Sequence, residues 1–228
     1  MTGRGGVGTL NESNLHRRVV EWFVRPGDQT EVKVGQYVID VVRGLLLVEV
    51  QTKNFSSLKV KLARLTQEHQ VLLIYPLVRE KWIKRTTKDG TLVSRRKSPR
   101  KNSPPALFNE LVNIPDLLTR PTFAIEVLVV KAEVWWVDDG KGSRRRKGWS
   151  VRDTQLLEVE ERIPIATPRD LLSLAPVPRE PFTSADLSQT LLQPKKLVQR
   201  MLYCYNRMGL VEEVGKKGRF KLYKKVGS

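Results

Sequence analysis

The chain is poor in the residues that build redox and zinc chemistry, with one cysteine and two histidines among 228 residues. A single cysteine, Cys204, excludes an internal disulfide and fits a reducing cytoplasm. The lack of a Cys and His cluster argues against zinc. Acids are scarce as well, 24 Asp and Glu against 41 Lys and Arg, and the resulting charge of +17 exceeds what solubility needs and suits a polyanion. No apolar run approaches the length of a membrane span, and residues 1–10 read as a Gly-rich flexible tail without a signal-peptide core. A membrane-surface role lacks an amphipathic anchor. Aromatic residues are too few for the stacking platforms that single-stranded RNA requires.

Two acids are found in unusual company. Asp40 and Glu49 each sit inside a near-continuous apolar run, YVIDVV at 37–42 and LLLVEVQ at 45–51. Ionised carboxylates are almost never fully buried unpaired, because losing water costs more than packing returns, so two in adjacent short strands point to a bound cation. Arg43-Gly44 reads as a two-residue turn between antiparallel strands, with Gly44 able to take a positive φ. Val42 then faces Leu45, Asp40 faces Leu47 and Val38 faces Glu49, so Asp40 and Glu49 become diagonal neighbours on one face, roughly 7 Å apart at Cβ. Gln51 and Lys53 fall on the same face if the strand continues, while Val48 and Val50 pack on the other. Hard oxygen ligands suit magnesium or manganese. The blander reading is a pair of sheet-edge acids neutralised by nearby Lys or Arg.

The flanking segments read as helix, three strands, helix, strand. Asn11 caps a helix in which Leu15, Val19, Trp22 and Phe23 recur at helical spacing, with Glu12 and His16 on or beside that stripe. Residues 29–34 alternate as a strand, and Leu58, Leu62 and Leu65 mark a second helix with Lys59, Lys61 and Arg64 outside. Residues 71–75 (VLLIY) form a short apolar run, as expected of a parallel strand covered on both faces.

This order, with an acid in the second strand and Glu-x-Gln in the third, resembles the PD-(D/E)XK nuclease superfamily, which includes restriction enzymes and Holliday junction resolvases. The resemblance covers roughly residues 12–76. It implies an α/β fold with a restriction-endonuclease-like αβββαβ core, Asp40 and Glu49 as magnesium ligands, and Glu12 as the first-helix acid that many members carry. The family's usual third-strand Lys is Gln51 here, and Ile39 stands where many members have Pro. On this likeness Gln51 orients the attacking water, Lys53 supplies the missing cation, and His16 contacts phosphate or braces Glu12; manganese can replace magnesium. Glu12 also has a structural rationale in the dipole at a helix start.

The basic residues cluster. Residues 79–103 hold Lys81, Lys84, Arg85, Lys88, Arg95, Arg96, Lys97, Arg100 and Lys101 around a Lys-Asp-Gly-Thr turn, a protruding basic hairpin and loop. A second basic insertion, 139–148, places Arg144, Arg145, Arg146 and Lys147 at a hairpin tip between strand-like runs 123–138 and 149–165. Trp135 and Trp136 alternate faces, one toward the core and one toward a base. These insertions belong to a first domain spanning 11–166. Thr167-Pro-Arg-Asp170 then opens a short helix in a linker, 167–180.

Residues 181–228 read as two helices, the second ended by Gly209, and a hairpin around a Gly215–Gly218 tip. This tail resembles a winged helix-turn-helix domain, whose second helix enters the major groove while the wing touches backbone or minor groove. The likeness implies that Lys195, Lys196, Gln199, Arg200, Tyr203 and Arg207 face DNA and that Lys216, Lys217 and Arg219 are wing contacts. A complete first helix is not evident, so the short helix after Thr167 must serve or one is missing. Three functions remain in play: a magnesium-dependent DNA endonuclease acting on double-stranded or branched DNA, a DNA-binding regulator on an inactive nuclease fold, and an RNA-processing nuclease. Double-strand cutting with one site per chain favours a homodimer.

Overall fold

The computed structural model describes residues 10–227, with side chains from residue 14 onward. The expected tail therefore lies almost wholly outside the described residues. The fold is mixed α/β, a large, mostly β sheet with several helices. Helix α1 (Leu10–Phe23) leads into strands β1 (Gln29–Val34), β2 (Tyr37–Arg43) and β3 (Leu46–Val50), then helix α2 (Lys59–Leu65) and strand β4 (Gln70–Thr86). That is the expected order of helix, three strands, helix and strand. α1 already includes Leu10, so Asn11 lies inside the helix and not at its cap.

β4 differs from the expected short run. It is 17 residues long, because the apolar stretch continues without a break into the basic hairpin and pairs with β5 (Leu92–Lys97). The remaining elements of the sheet are β6 (Phe123–Asp138) and β7 (Trp149–Ile165), an antiparallel pair whose bounds are the two runs read from sequence. A short helix α3 (Phe108–Leu111) lies before β6. The strand order is β1-β2-β3-β4-β6-β7, with β5 off β4. β4 is parallel to both β3 and β6, which places its apolar first half at the centre of the sheet and explains why it does not alternate.

Both faces of this central region are covered. On one face Leu15, Val19 and Phe23 of α1 pack on Val41, Val48, Val50, Ile74, Leu128 and Val130. On the other, Leu62 and Leu65 of α2 join Ile39, Leu47, Leu73, Phe108 and Leu111. This second cluster extends into the C-terminal unit. Thr167 and Asp170 form a capping box ahead of α4 (Leu171–Leu174). Then come β8 (Phe182–Thr183), α5 (Ser184–Leu191), α6 (Lys195–Arg207), β9 (Val211–Lys217) and β10 (Phe220–Lys225), the strands ordered β8-β10-β9.

Tyr205 of α6 locks the two parts together. Its ring stands edge-on to Phe108, with centroids 5.3 Å apart, and its hydroxyl donates to the Ala175 carbonyl at 2.6 Å. The short helix after Thr167 is thus fastened to α6, packed where the sequence left a first helix in question. No helix among the described residues is long and apolar enough to cross a membrane.

The shared cluster leads to a testable outcome. Tyr205→Phe leaves the buried Ala175 carbonyl without its donor and should lower unfolding free energy by about 1–3 kcal/mol. Urea unfolding followed by tryptophan fluorescence and by circular dichroism should give one coincident transition, and two separated transitions would contradict a shared core.

Candidate functional site

β2 and β3 pair as Val41↔Val48, Val42↔Leu47 and Arg43↔Leu46. The turn is therefore Gly44-Leu45, with Gly44 at φ +57°, which corrects the Arg43-Gly44 turn expected from sequence. Arg43 stays in the strand because its guanidinium is pinned. Nε and Nη2 donate to the Asp28 carboxylate at 2.8 and 2.7 Å, and the group lies 4.8 Å from the centre of the Phe23 ring. Arg43 holds Asp28 down at about 2.

The corrected register changes the relation of the two acids. The last ladder pair is Val41↔Val48, so Asp40 and Glu49 lie where the two strands part, near enough for the Asp40 charge to act on Glu49. At that point a side chain replaces the ladder. The Val50 N–H donates to Asp40 Oδ2 at 2.7 Å, and His16 Nε2 from α1 meets the same oxygen at 3.0 Å. Oδ1 is the oxygen that neither donor takes. The hydrogen bond to Asp40 raises His16 above its ordinary value of 6.5, against the opposing effect of burial.

Glu49 is buried, its side chain 4% exposed. Lys61 Nζ on α2 comes within 2.6 Å of Oε1 and donates to the Val38 carbonyl at 2.6 Å. That ion pair is the contact Oε1 makes among the described residues, and no other donor reaches this buried oxygen. Burial pushes the Glu49 carboxyl up from 4.5 to about 7; the Asp40 charge adds to this and Lys61 opposes it.

Lys61, which the sequence places on the outer side of its helix, meets the buried acid instead. Its side chain is 17% exposed and bends back along the helix to the acid. The available signal was its position, three residues after Leu58 and four before Leu65, on the flank of the buried stripe where a long side chain can snorkel.

Gln51 and Lys53 do not continue the strand. β3 ends at Val50, and the chain bends through Asn54, which is left-handed at φ 60°, to enter a 3₁₀ turn, Phe55–Leu58. Lys53 is exposed on that bend and not one pleat further along the site face. The Gln51 amide nitrogen donates to the Lys53 carbonyl at 2.6 Å and so closes the bend. Glu12 belongs to α1 by its backbone, and its side chain lies outside the described residues. Among the described residues no group of three or more His, Cys, Asp and Glu is placed to hold a metal ion.

The expected DNA-facing residues divide. Lys195, Gln199, Tyr203 and Arg219 line a groove of about 530 Å³ between α6 and the β9–β10 hairpin, with Lys196 exposed nearby. Lys216 and Lys217 belong to β9, and the hairpin turns at Gly218-Arg219, a correction to the expected Gly215–Gly218 tip. Arg200 and Arg207, seven residues apart on one helix face, hold α6 to the main body. Arg200 donates to Asn109, and Arg207 Nε donates to Asp116 at 2.7 Å. Arg144, Arg145 and Arg146 form a 3₁₀ turn at the β6–β7 tip. Arg96 is exposed, while Arg95 Nε donates to the buried Glu133 at 2.7 Å.

The raised acid gives stability a direction with pH. A carboxyl whose folded value lies above its unfolded one stabilises fully below about 4.5 and loses that contribution as pH rises through about 7. His16, also raised, adds a term of the same sign. Urea unfolding from pH 4.5 to 8 without divalent ions should show Glu49 lowering stability by up to about 1.4 kcal/mol per pH unit. Glu49→Gln should flatten that segment, and an unchanged slope would contradict the assignment.

Comparison with known proteins places this geometry in a family. No solved structure matches the chain. A protein of Treponema pallidum (strain Nichols), described only as an uncharacterized protein, is 33% identical over 224 residues, covering 96% of this chain and 87% of its own length. That alignment takes in the C-terminal unit as well as the large sheet. Residues 13–166, from α1 to the end of β7, match one family throughout, and the chain belongs to the family described as Domain of unknown function (DUF8091).

Proposed function

We propose that the protein is a magnesium-dependent DNA endonuclease built on a restriction-endonuclease-like αβββαβ core, with a C-terminal winged helix unit that binds the substrate. The observation that carries this reading is the placement of Asp40 and buried Glu49 where β2 and β3 part, with Lys61 against Glu49. A buried carboxylate met by a single lysine, near a second carboxylate with one oxygen unclaimed, suits a hydrated magnesium ion. Such ions are commonly bound through one or two carboxylates and the substrate phosphates. Asp40 and Glu49 would hold it, with Glu12 a third candidate; manganese, also a hard cation, fits the same donors.

Bound there, magnesium supplies a more acidic water and charge neutralisation at the phosphate. The chain's own groups supply the rest. His16 and the Val50 amide fix the Asp40 carboxylate through one oxygen, so the other is presented in a set orientation. Lys61, not Lys53, carries the cation that the third strand lacks, positioned to stabilise negative charge as the phosphodiester breaks. Lys195, Lys196, Gln199, Tyr203 and the wing residues Lys216, Lys217 and Arg219 face outward for DNA; Arg144–Arg146 add a second contact at the sheet tip. A dimer would bring two such sites to the two strands of a duplex.

A second reading, a DNA-binding regulator on an inactive nuclease fold, draws on the missing three-ligand cluster among the described residues and on Lys61 already neutralising Glu49. Single-turnover cleavage of plasmid and oligonucleotide duplexes separates the two. Asp40→Ala and Glu49→Ala should each abolish magnesium-dependent cutting that EDTA also stops. Lys61→Ala should cost roughly 10² to 10³ in rate, the scale for removing one electrostatic stabiliser, and Lys53→Ala should stay near wild type. Cutting that survives either acid substitution would refute the site, and no cutting of any substrate by the intact protein would favour the regulator.

A further inference from the structure

The sheet continues well past its helical cover. β4, β6 and β7 are 17, 16 and 17 residues long. Beyond about Val78 the second halves of β4 and β6, the first half of β7 and β5 bury only Ile83, Thr86, Ala132, Glu133 and Val137. The two open faces of this arm differ in charge. On the face bearing Glu80, Trp82 and Lys84, cations meet acids: Lys97 Nζ lies 2.5 Å from Glu80, Arg95 bonds Glu133, and Lys131 is 2.8 and 3.0 Å from Glu158 and Glu160. On the opposite face Lys81, Arg85, Arg96 and Arg100 make no ion pair among the described residues.

These four cations are arranged, not scattered. Lys81 and Arg100, with Asn102 and Thr154, line a cavity of about 230 Å³. Burial, with the Arg100 charge adding to it, pushes Lys81 below its ordinary value, the mark of two cations crowded without an anion. Arg96 pairs with Ile83 in the next strand and so shares their face. Further out, the Arg85 guanidinium lies between Trp136 and Trp149, 5.3 and 5.1 Å from their ring centres, with Nε buried and without an acceptor. Because these rings are already taken by the protein's own cation, the face offers fixed charge and not a platform for unpaired bases.

We propose that this face binds the phosphate backbone of double-stranded nucleic acid, with the Lys81–Arg100 cavity seating one phosphate and Arg96 and Arg85 following the strand outward. The inference rests on the reading of nucleic acid as ligand but does not require catalysis. Ile74 of β4 pairs with Val50, next to Glu49. At a rise near 3.3 Å per residue, Lys81 lies about 23 Å and Arg85 about 36 Å further along the strand, the latter close to one turn of B-form DNA.

The test uses the full chain in EDTA, so that binding is read without cutting. Anisotropy of a labelled 30-bp duplex is followed across a sodium chloride series for Lys81→Gln/Arg96→Gln/Arg100→Gln. A control of equal charge loss, Lys97→Gln/Lys101→Gln/Lys131→Gln, removes acid-paired cations instead. Each lost phosphate contact removes about 0.9 from the log–log salt slope, so the first triple, which gives up the cavity phosphate and the Arg96 phosphate, should lose about 1.8 and the control clearly less. Circular dichroism melts check folding, and the exposed single Arg96→Gln, expected to lose about 0.9, serves if the triple unfolds. An unchanged slope, equal losses in both triples, or a single strand bound as tightly as the duplex would each overturn the proposal. A slope drop in a protein that cuts nothing would uphold this face while refuting the nuclease reading.

Discussion

The burial of Glu49 is the constraint around which the rest of the site is arranged. An acid on a central strand, 4% exposed, has to be compensated, and two helices on opposite faces of the sheet send side chains to do so. α2 contributes Lys61 directly. α1 contributes His16 to Asp40, the acid beside Glu49, and the Asp40 carboxylate takes over a backbone donor where the β2–β3 ladder stops. The compensation is incomplete, since burial still holds Glu49 at about 7 even with Lys61 against it. A core acid with no other use is more stably replaced by an apolar residue, and a buried, perturbed carboxyl is where pKa perturbation points to function.

Much of this architecture was legible in the sequence because it depends on local periodicity. Leu15, Val19 and Phe23 at helical spacing, the alternation of 29–34 and the unbroken apolar run at 71–75 report directly on how many faces each element buries. The bounds of β6 and β7 were readable for the same reason. Register was not, because it hinged on Arg43 being held in the strand by Asp28, a partner fifteen residues away with no periodic signature. The end of β3 was missed on similar grounds: Gln51 and Lys53 continue the alternation on paper, but the chain must turn through Asn54 to reach α2. Lys61 was missed since spacing alone cannot tell a solvated lysine from one bent back onto a buried acid.

The same limit applies to charge. Composition reported a net +17 but not its partition. In the structure the distal arm separates its cations by face, one side neutralised by Glu80, Glu133, Glu158 and Glu160 and the other without ion pairs among the described residues. α6 separates its own in a similar way, with Arg200 and Arg207 turned to the body and Lys195, Gln199 and Tyr203 turned to the groove. Docking through Tyr205 and these two arginines gives the C-terminal unit a defined orientation on the sheet domain.

The central claim is that Asp40 and Glu49 form a divalent-cation site, and manganese binding read by electron paramagnetic resonance tests it most directly, independent of any substrate. At pH 8, where Glu49 is ionised, the intact protein should hold manganese with an affinity that magnesium competes away. That binding should fall at least tenfold in Glu49→Gln and in Asp40→Asn, and it should weaken in the intact protein as pH drops below about 7, because the proton and the metal compete for one carboxylate. Manganese bound equally by the intact protein and both variants, or by none of them, would contradict the account.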